Sequence, residues 1–273
     1  MIIKFDNVNL NIETPPLLSP NKTCIFFLHG FTGSSADWEN IIPFINKNFI
    51  PISIDIIGHG KSDCPDELNY YKTDSLIEQI KKVTEYFTKE KFTLCGYSMG
   101  GRLALSFAKK YPIILNGLIL ESSTYGIKDE TERKLRRKQD KELSEFIRTH
   151  SIADFVEHWL NKELFDSLKK LHEEKLNKIK NEKRKNKKIG LINSLLGFGT
   201  GSMPCLLGRL KDIRISTLLI SGECDRKFSE INKEMVKELS NAKHSIINNA
   251  GHNTHIEEPK DFINAVNEFL INY

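Results

Sequence analysis

The stretch "KFTLCGYSMGGRLAL", residues 91–105, decides how the rest of the chain is read. Its first part is a β-prone apolar run and its last part has helical periodicity. Between them Gly96, Ser98 and Gly100 stand in G-x-S-x-G spacing. By composition that spacing arises by chance in roughly one chain in ten of this length, so the flanking elements must give it weight. A strand before and a helix after make it a nucleophile elbow. The glycines permit a sharp turn and a tight strand-helix crossing, and Ser98 sits at the tip over the positive end of the helix. Arg102 follows one helical turn later on the same face, so one helix presents both an activated serine and a fixed cation.

Outward from the elbow, apolar runs recur at "TCIFFLHG", "FIPISIDI", "NGLILES", "ISTLLISGE" and "AKHSIINN". Segments of helical spacing such as "SLIEQIKKVTEYF" and "GRLALSFAKKYP" separate most of them. This alternation predicts an α/β fold with a mostly parallel central sheet and helices on both faces. "MIIKF" and "VNLNIE" at the start predict a leading antiparallel pair. From about Gly126 to Leu210 the strand signal vanishes and charged helical segments take over. We therefore expect one discontinuous core domain, residues 1–125 and 211–273, interrupted by an all-helical cap over residues 126–210. There is no internal repeat and no Pro- or Gly-rich linker.

With 273 residues the chain suits one large domain carrying an insertion. Forty Lys and Arg against 36 Asp and Glu leave a formal charge of +4, too small to imply nucleic acid or membrane binding without a clustered patch. The most basic run, "EEKLNKIKNEKRKNKK", has no interleaved aromatic platform and reads as a solvated cap-helix face. Cys24, Cys64, Cys95, Cys205 and Cys224 are odd in number and scattered, which fits a reduced, cytoplasmic compartment. The N-terminus has neither a basic region nor an apolar core of a signal peptide, and no run approaches a membrane span. The histidines lack metal-ligand spacing and no cofactor fingerprint is present, so catalysis without cofactor or metal is expected.

A serine hydroxyl is inert at neutral pH until a base takes its proton, so the elbow calls for a histidine and an orienting carboxylate. Asp225 in "GECDRKF" and His252 in "NNAGHNTHIEEP" each fall where a strand ends, in the chain order serine, acid, histidine. His255 competes with His252, but it stands just before the last helix and is expected to pack or hydrogen-bond locally. Cys224 is expected to be a buried filler, and Asp55 and His29 to be loop braces. Two backbone amides should form an oxyanion hole, one from Met99 after the nucleophile and one from Phe31, where Gly30 and Gly33 allow close approach.

At this point the motifs "HGFTGSSADW", "DIIGHGKSD", "GYSMGGRLAL" and "GHNTHIEEP", together with the cap insertion, resemble the α/β-hydrolase fold over the whole chain. A narrower resemblance runs through "GYSMGGRLAL", "LILESSTYGIKDETERKLRRKQD", "FVEHWLNKELFDSL", "LLGFGTGSMPCLLGRL" and "GECDRKF". These are similar to the 2-succinyl-6-hydroxy-2,4-cyclohexadiene-1-carboxylate synthases, lyases of menaquinone biosynthesis that eliminate pyruvate from a polycarboxylate. The resemblance implies that Ser98, activated by His252 and Asp225, abstracts a ring proton instead of attacking a carbonyl. It implies a small anionic substrate clamped by Arg102 and Arg136, with Arg133 and Arg137 as weaker matches to the latter. Trp159 and Phe165 would wall the ring side of the pocket. Tyr97 either hydrogen-bonds a substrate carboxylate or packs the elbow, and Lys227 matches a family lysine near the acid loop. A later cap arginine of the family falls at Lys183 or Arg184.

The chain departs from the family pattern at Ile57, where proline is usual, and at Ser202 and Leu207, where glutamine and tryptophan are common. Other readings share the fold. A carboxylesterase or carbon-carbon bond hydrolase would use the same triad but has no need of Arg102 and Arg136 in the pocket. A non-catalytic binding protein would have no need of the triad.

Overall fold

In the computed structural model, which describes residues 1–16 and 22–271, the apolar runs become strands. They are β1 (Ile2–Phe5), β2 (Val8–Glu13), β3 (Thr23–Leu28), β4 (Phe49–Ile54), β5 (Phe92–Tyr97), β6 (Leu115–Glu121), β7 (Ser216–Gly222) and β8 (Ala242–Ile247). They join in one eight-stranded sheet of order β1-β2-β4-β3-β5-β6-β7-β8. β1 and β2 are antiparallel, β2 meets β4 antiparallel, and every pairing from β4 to β8 is parallel.

The reason the central strands read as continuous apolar runs is visible in β3. Phe26 and Leu28 point into a core layer with Leu76, Ile80, Leu103 and Phe107. Ile25 and Phe27 point to the opposite layer, with Trp38, Phe262 and Val266. Both faces are dry, so alternation with polar residues would leave unpaired groups inside. Phe26 and Phe27 are each 0 % exposed, and burial of such a ring contributes about 1.5–3 kcal/mol.

Helices α1 (Thr73–Phe87) and α2 (Met99–Lys110) belong to the first layer, while α7 (Arg226–Glu238), the one-turn α8 (Thr254–Glu257) and α9 (Pro259–Ile271) follow the last strands. The chain leaves β3 for β4 on one side and β5 on the other. That reversal opens a crevice at the carboxyl ends of β3 and β5, where α/β sheets bind ligands.

Between β6 and β7 the described chain contains no strand. α3 (Glu130–Thr149), α4 (Ile152–Leu160), α5 (Glu173–Arg184) and α6 (Lys188–Phe198) occupy this interval. α3 starts at Asp129, whose side chain accepts from Glu132 N, and α4 starts with a reciprocal Ser151–Asp154 capping box. Ile147, Phe155, Leu160, Phe165, Leu191 and Leu195 form a separate apolar cluster that touches the core through Phe31 and Ile256. Among the described residues no helix is long and apolar enough to cross a membrane.

Candidate active site

Ser98 lies between β5 and α2 with φ 49° and ψ −104°, a conformation that L-residues rarely adopt. The glycines on either side make that turn sterically feasible. A Cβ at Gly100 would stand 2.3 Å from Leu28 O, and one at Gly96 would stand 2.3 Å from Gly100 O. β5 and α2 can therefore cross only without those side chains.

His252, from the loop after β8, brings Nε2 to 3.1 Å from Ser98 Oγ. Its Nδ1 is 2.7 Å from Asp225 Oδ2, and the other oxygen of Asp225 accepts from Phe228 N at 3.2 Å. An ionised carboxylate only accepts, so the proton sits on Nδ1, and Nε2 is left as the acceptor for the serine hydroxyl. His252 is 1 % exposed and Asp225 is 7 % exposed. Phe228, Tyr97 and Phe165 surround the imidazole with ring centroids at 4.5, 5.4 and 6.0 Å. The arrangement can move a proton from a serine to a shielded histidine.

The loop after β3 is braced beneath Phe31. His29 Nδ1 donates to Gly30 O at 2.8 Å and its Nε2 accepts from Ile56 N at 3.0 Å. Burial pushes the pKa of His29 down, which keeps it neutral in that role. Asp55 accepts from Ser35 N at 2.6 Å, Lys61 N at 2.8 Å and Asn11 Nδ2 at 2.9 Å. Burial opposes its charge, yet these donors hold its carboxyl below the usual value.

A cavity of about 850 Å³ opens over Ser98, bounded by Phe31 and Met99 on one side and by residues of the helical insertion opposite. Arg102 is its most buried cation, 8 % exposed. One terminal nitrogen donates to Phe198 O at 2.9 Å and contacts Met203 Sδ at 3.6 Å, and the guanidinium lies 5.1 Å from the Phe198 ring centroid. Burial, reinforced by the nearby Arg136 charge, lowers its pKa to about 9, so it remains a cation at neutral pH. Arg136 lines the same cavity and is tied through Nε to Asp140 at 2.8 Å. Lys170, Arg226 and Lys227 complete the cationic lining, with Glu163 and Asp166 also present. Trp159 packs edge-on against Phe31 at 5.2 Å and meets Phe165 at 5.4 Å, so the two form the apolar wall. Among the described residues no group of His, Cys, Asp and Glu has metal-binding geometry.

Comparison with known proteins agrees with this architecture. A profile described as "alpha/beta hydrolase fold" matches residues 23–259. A Bacillus subtilis protein provisionally named as a 2-succinyl-6-hydroxy-2,4-cyclohexadiene-1-carboxylate synthase is 40 % identical over 92 % of both chains. The chain belongs to the α/β-hydrolase family, in its 2-succinyl-6-hydroxy-2,4-cyclohexadiene-1-carboxylate synthase branch. A Serratia proteamaculans synthase of the same name is 27 % identical over 92 % of this chain and 94 % of its own. The solved structure of MenH from S. aureus superposes with a TM-score of 0.90 at 32 % identity, covering 96 % of this chain and 97 % of that one. This α/β-hydrolase is therefore an enzyme.

Most sequence-expected site residues of this synthase-like enzyme line one cavity: Ser98, Asp225, His252, Phe31, Met99, Arg102, Arg136, Tyr97, Trp159, Phe165 and Lys227. Arg184 is the exception and must be corrected. It lies outside the cavity lining, with one terminal nitrogen 2.9 Å from Glu157 and the other bound to Asn181 at 3.0 Å. Its neighbour Lys183 is the buried member of the pair, 5 % exposed, but does not line the cavity either. Tyr97 spends its hydroxyl proton on Asn253 Oδ1 at 2.5 Å, beside His252. Cys224 is exposed, not a buried filler. His255 packs locally, stacked on Trp38 at 4.4 Å with Nδ1 on Glu121 at 2.7 Å. Sequence reading missed Lys170 and Arg226. Both are ordinary surface cations in pattern, and nothing in the spacing marks them as facing a cavity.

Proposed function

We propose that this enzyme eliminates pyruvate from 2-succinyl-5-enolpyruvyl-6-hydroxy-3-cyclohexene-1-carboxylate, giving 2-succinyl-6-hydroxy-2,4-cyclohexadiene-1-carboxylate in menaquinone biosynthesis. The observation that carries the proposal is Arg102. This guanidinium is 8 % exposed and makes no ion pair among the described residues, yet it lines the serine's cavity. Asp140 acts on it only from a distance; a buried cation with no carboxylate in contact is costly, and a substrate carboxylate offsets that cost with charge-assisted bonds. An enzyme for neutral esters has no such need.

In this mechanism His252 Nε2 takes the Ser98 proton, and Asp225 stabilises the imidazolium. The serine oxygen removes a ring proton, and the electron pair of that C–H bond becomes a new C=C bond. The C–O bond to the enolpyruvyl group then breaks, and the departing enolate takes up a proton to become pyruvate. The bond changes balance without water or an oxidant. Charge that builds on the substrate leans on the Phe31 and Met99 amides. Arg102 and Arg136 hold carboxylates, Trp159 and Phe165 flank the ring, and residues 126–210 act as the cap that shields the proton transfer. Lys227 and the neighbouring Arg226 and Lys170 attract the anion at the cavity rim.

The test is pyruvate release from freshly generated substrate, with wild type and Ser98→Ala compared against the uncatalysed background. Rapid release is expected, with a loss of about a thousand-fold or more in the variant. Background release in both proteins would overturn the proposal.

A further inference from the structure

Glu121 ends β6 and its carboxylate is 0 % exposed. Its backbone carbonyl accepts from Ser98 N at 2.8 Å, so it supports the strained nucleophile directly. Its carboxylate reaches the other half of the triad. Oε1 accepts from Thr254 Oγ1 at 2.6 Å and His255 N at 3.0 Å, and His255 Nδ1 lies 2.9 and 2.7 Å from Oε1 and Oε2. The His255 ring is held in turn between Trp38, at 4.4 Å, and Tyr97, at 4.9 Å.

The opposite side of the same loop is clamped by Glu257. Its carboxylate accepts from Gly251 N at 2.7 Å and Asn253 N at 3.0 Å, the amides that flank His252. His252 therefore lies between a carboxylate on the short helix that follows it and one carried by the strand next to the nucleophile strand. Of these two carboxylates the second ties its position to Ser98, beside the Tyr97–Asn253 bond that spans the same gap.

We infer that Glu121 is a positioning residue that sets the distance between the serine and the histidine, an inference resting on the triad reading above. Proton transfer needs a heavy-atom separation of about 2.6–3.2 Å, and Ser98 Oγ to His252 Nε2 is 3.1 Å. The contact has little slack, so a small drift of Thr254 and His255 breaks it. Burying a carboxylate at this point carries a desolvation cost that an apolar side chain would avoid. Fixing two backbone segments together is the return on that cost.

The experiment compares wild type, Glu121→Gln and Thr254→Val. Glu121→Gln keeps the shape but turns an acceptor oxygen into a donor facing His255 Nδ1–H. Thr254→Val keeps the volume and deletes one bond. The readout is the rate at which a small neutral fluorophosphonate modifies Ser98, with pyruvate release measured in parallel. A loss of about ten- to hundred-fold is expected for Glu121→Gln and a smaller loss for Thr254→Val. KM for the anionic substrate should stay near the wild-type value, because Arg102 and Arg136 are untouched.

A purely structural role would lower the melting temperature and leave the modification rate per folded molecule unchanged. That result in Glu121→Gln overturns the inference. If Glu121→Gln does not fold, a wild-type rate in Thr254→Val overturns it equally. Because the fluorophosphonate reports the triad and not the elimination, Glu121-dependent modification without pyruvate release would sustain this inference while the proposed reaction fell.

Discussion

Arg136 binds Asp140 through Nε, 2.8 Å from Oδ1, one turn apart on α3. The carboxylate is nearly buried at 4 % side-chain exposure, whereas the arginine is 34 % exposed. Use of Nε fixes the plane of the guanidinium and leaves its terminal nitrogens for the cavity that Arg136 lines. Asp140 is therefore the device that aims this cation.

Asp140→Asn should separate aim from stability. Burial raises the Asp140 carboxyl pKa, with Arg136 and Arg102 pulling it back only in part. The folded state then holds this proton more tightly than the unfolded state, so stability falls as pH rises through the window above the ordinary aspartate value. Removing the charge removes that loss. Urea unfolding at neutral pH should find the variant no less stable than wild type, while KM rises several-fold and kcat changes little. A marked loss of stability would show the pair to be a structural clamp instead.

Arg102→Met tests the proposed anion contact. Methionine follows the apolar stem and can keep the contact with Phe198 while losing the charge. Bonds to a charged group contribute about 1.5–3 kcal/mol, so kcat/KM for the polycarboxylate should fall about ten- to hundred-fold. Modification of Ser98 by a neutral fluorophosphonate should stay at the wild-type rate. Equal losses in both assays would mean that Arg102 shapes the elbow and does not bind substrate.

The backbone at Ser98 gives a third test. With φ 49° and ψ −104° any residue that carries a Cβ is strained here, and strain of this kind costs about 1–3 kcal/mol. Ser98→Ala and Ser98→Gly both remove the hydroxyl and both should be inactive, but only glycine relieves the strain. The Ser98→Gly protein should be more stable by about 1 kcal/mol, even after the greater entropy of glycine in the unfolded chain. Equal unfolding midpoints would mean that the elbow is unstrained.

The fold was legible because its signals are local. Runs such as "TCIFFL" are apolar throughout since β3 has two buried faces, and the elbow glycines are required by a crossing that neighbouring residues already define. The contact of Ser98, His252 and Asp225 was legible because α/β strand ends fall at one edge of the sheet, which gathers these three residues there. The helical insertion was not legible at the same level. Helical spacing shows that residues 173–184 form a helix but not which way it faces, and it was Glu157, from α4, that claimed Arg184. Glu121 was overlooked as the polar end of an apolar strand. A lone carboxylate closing such a run is itself a signal, since a buried acid must find donors, and Thr254 and His255 supply them.

A last expectation concerns acid stability, and it follows from His59. Its ring is 0 % exposed, Nδ1 faces Ile57 O at 3.3 Å, and Nε2 has no hydrogen-bond partner among the described residues. Burial lowers its pKa from 6.5 to about 3; Asp55 opposes this and Lys183 adds to it. The unfolded chain takes up a proton at this residue near pH 6.5 and the folded chain does not until about pH 3, so stability falls as pH drops through that interval. Between pH 7 and pH 5 the loss from this one group is about 2 kcal/mol. His29, lowered by burial as well, acts in the same direction. Urea midpoints measured at pH 7, 6 and 5 should decline steadily in the wild type and decline less in His59→Asn, whose amide can still donate to Ile57 O. An unchanged slope in that variant would mean that His59 titrates normally in the folded protein, and the loop under Phe31 would then have to be open to water.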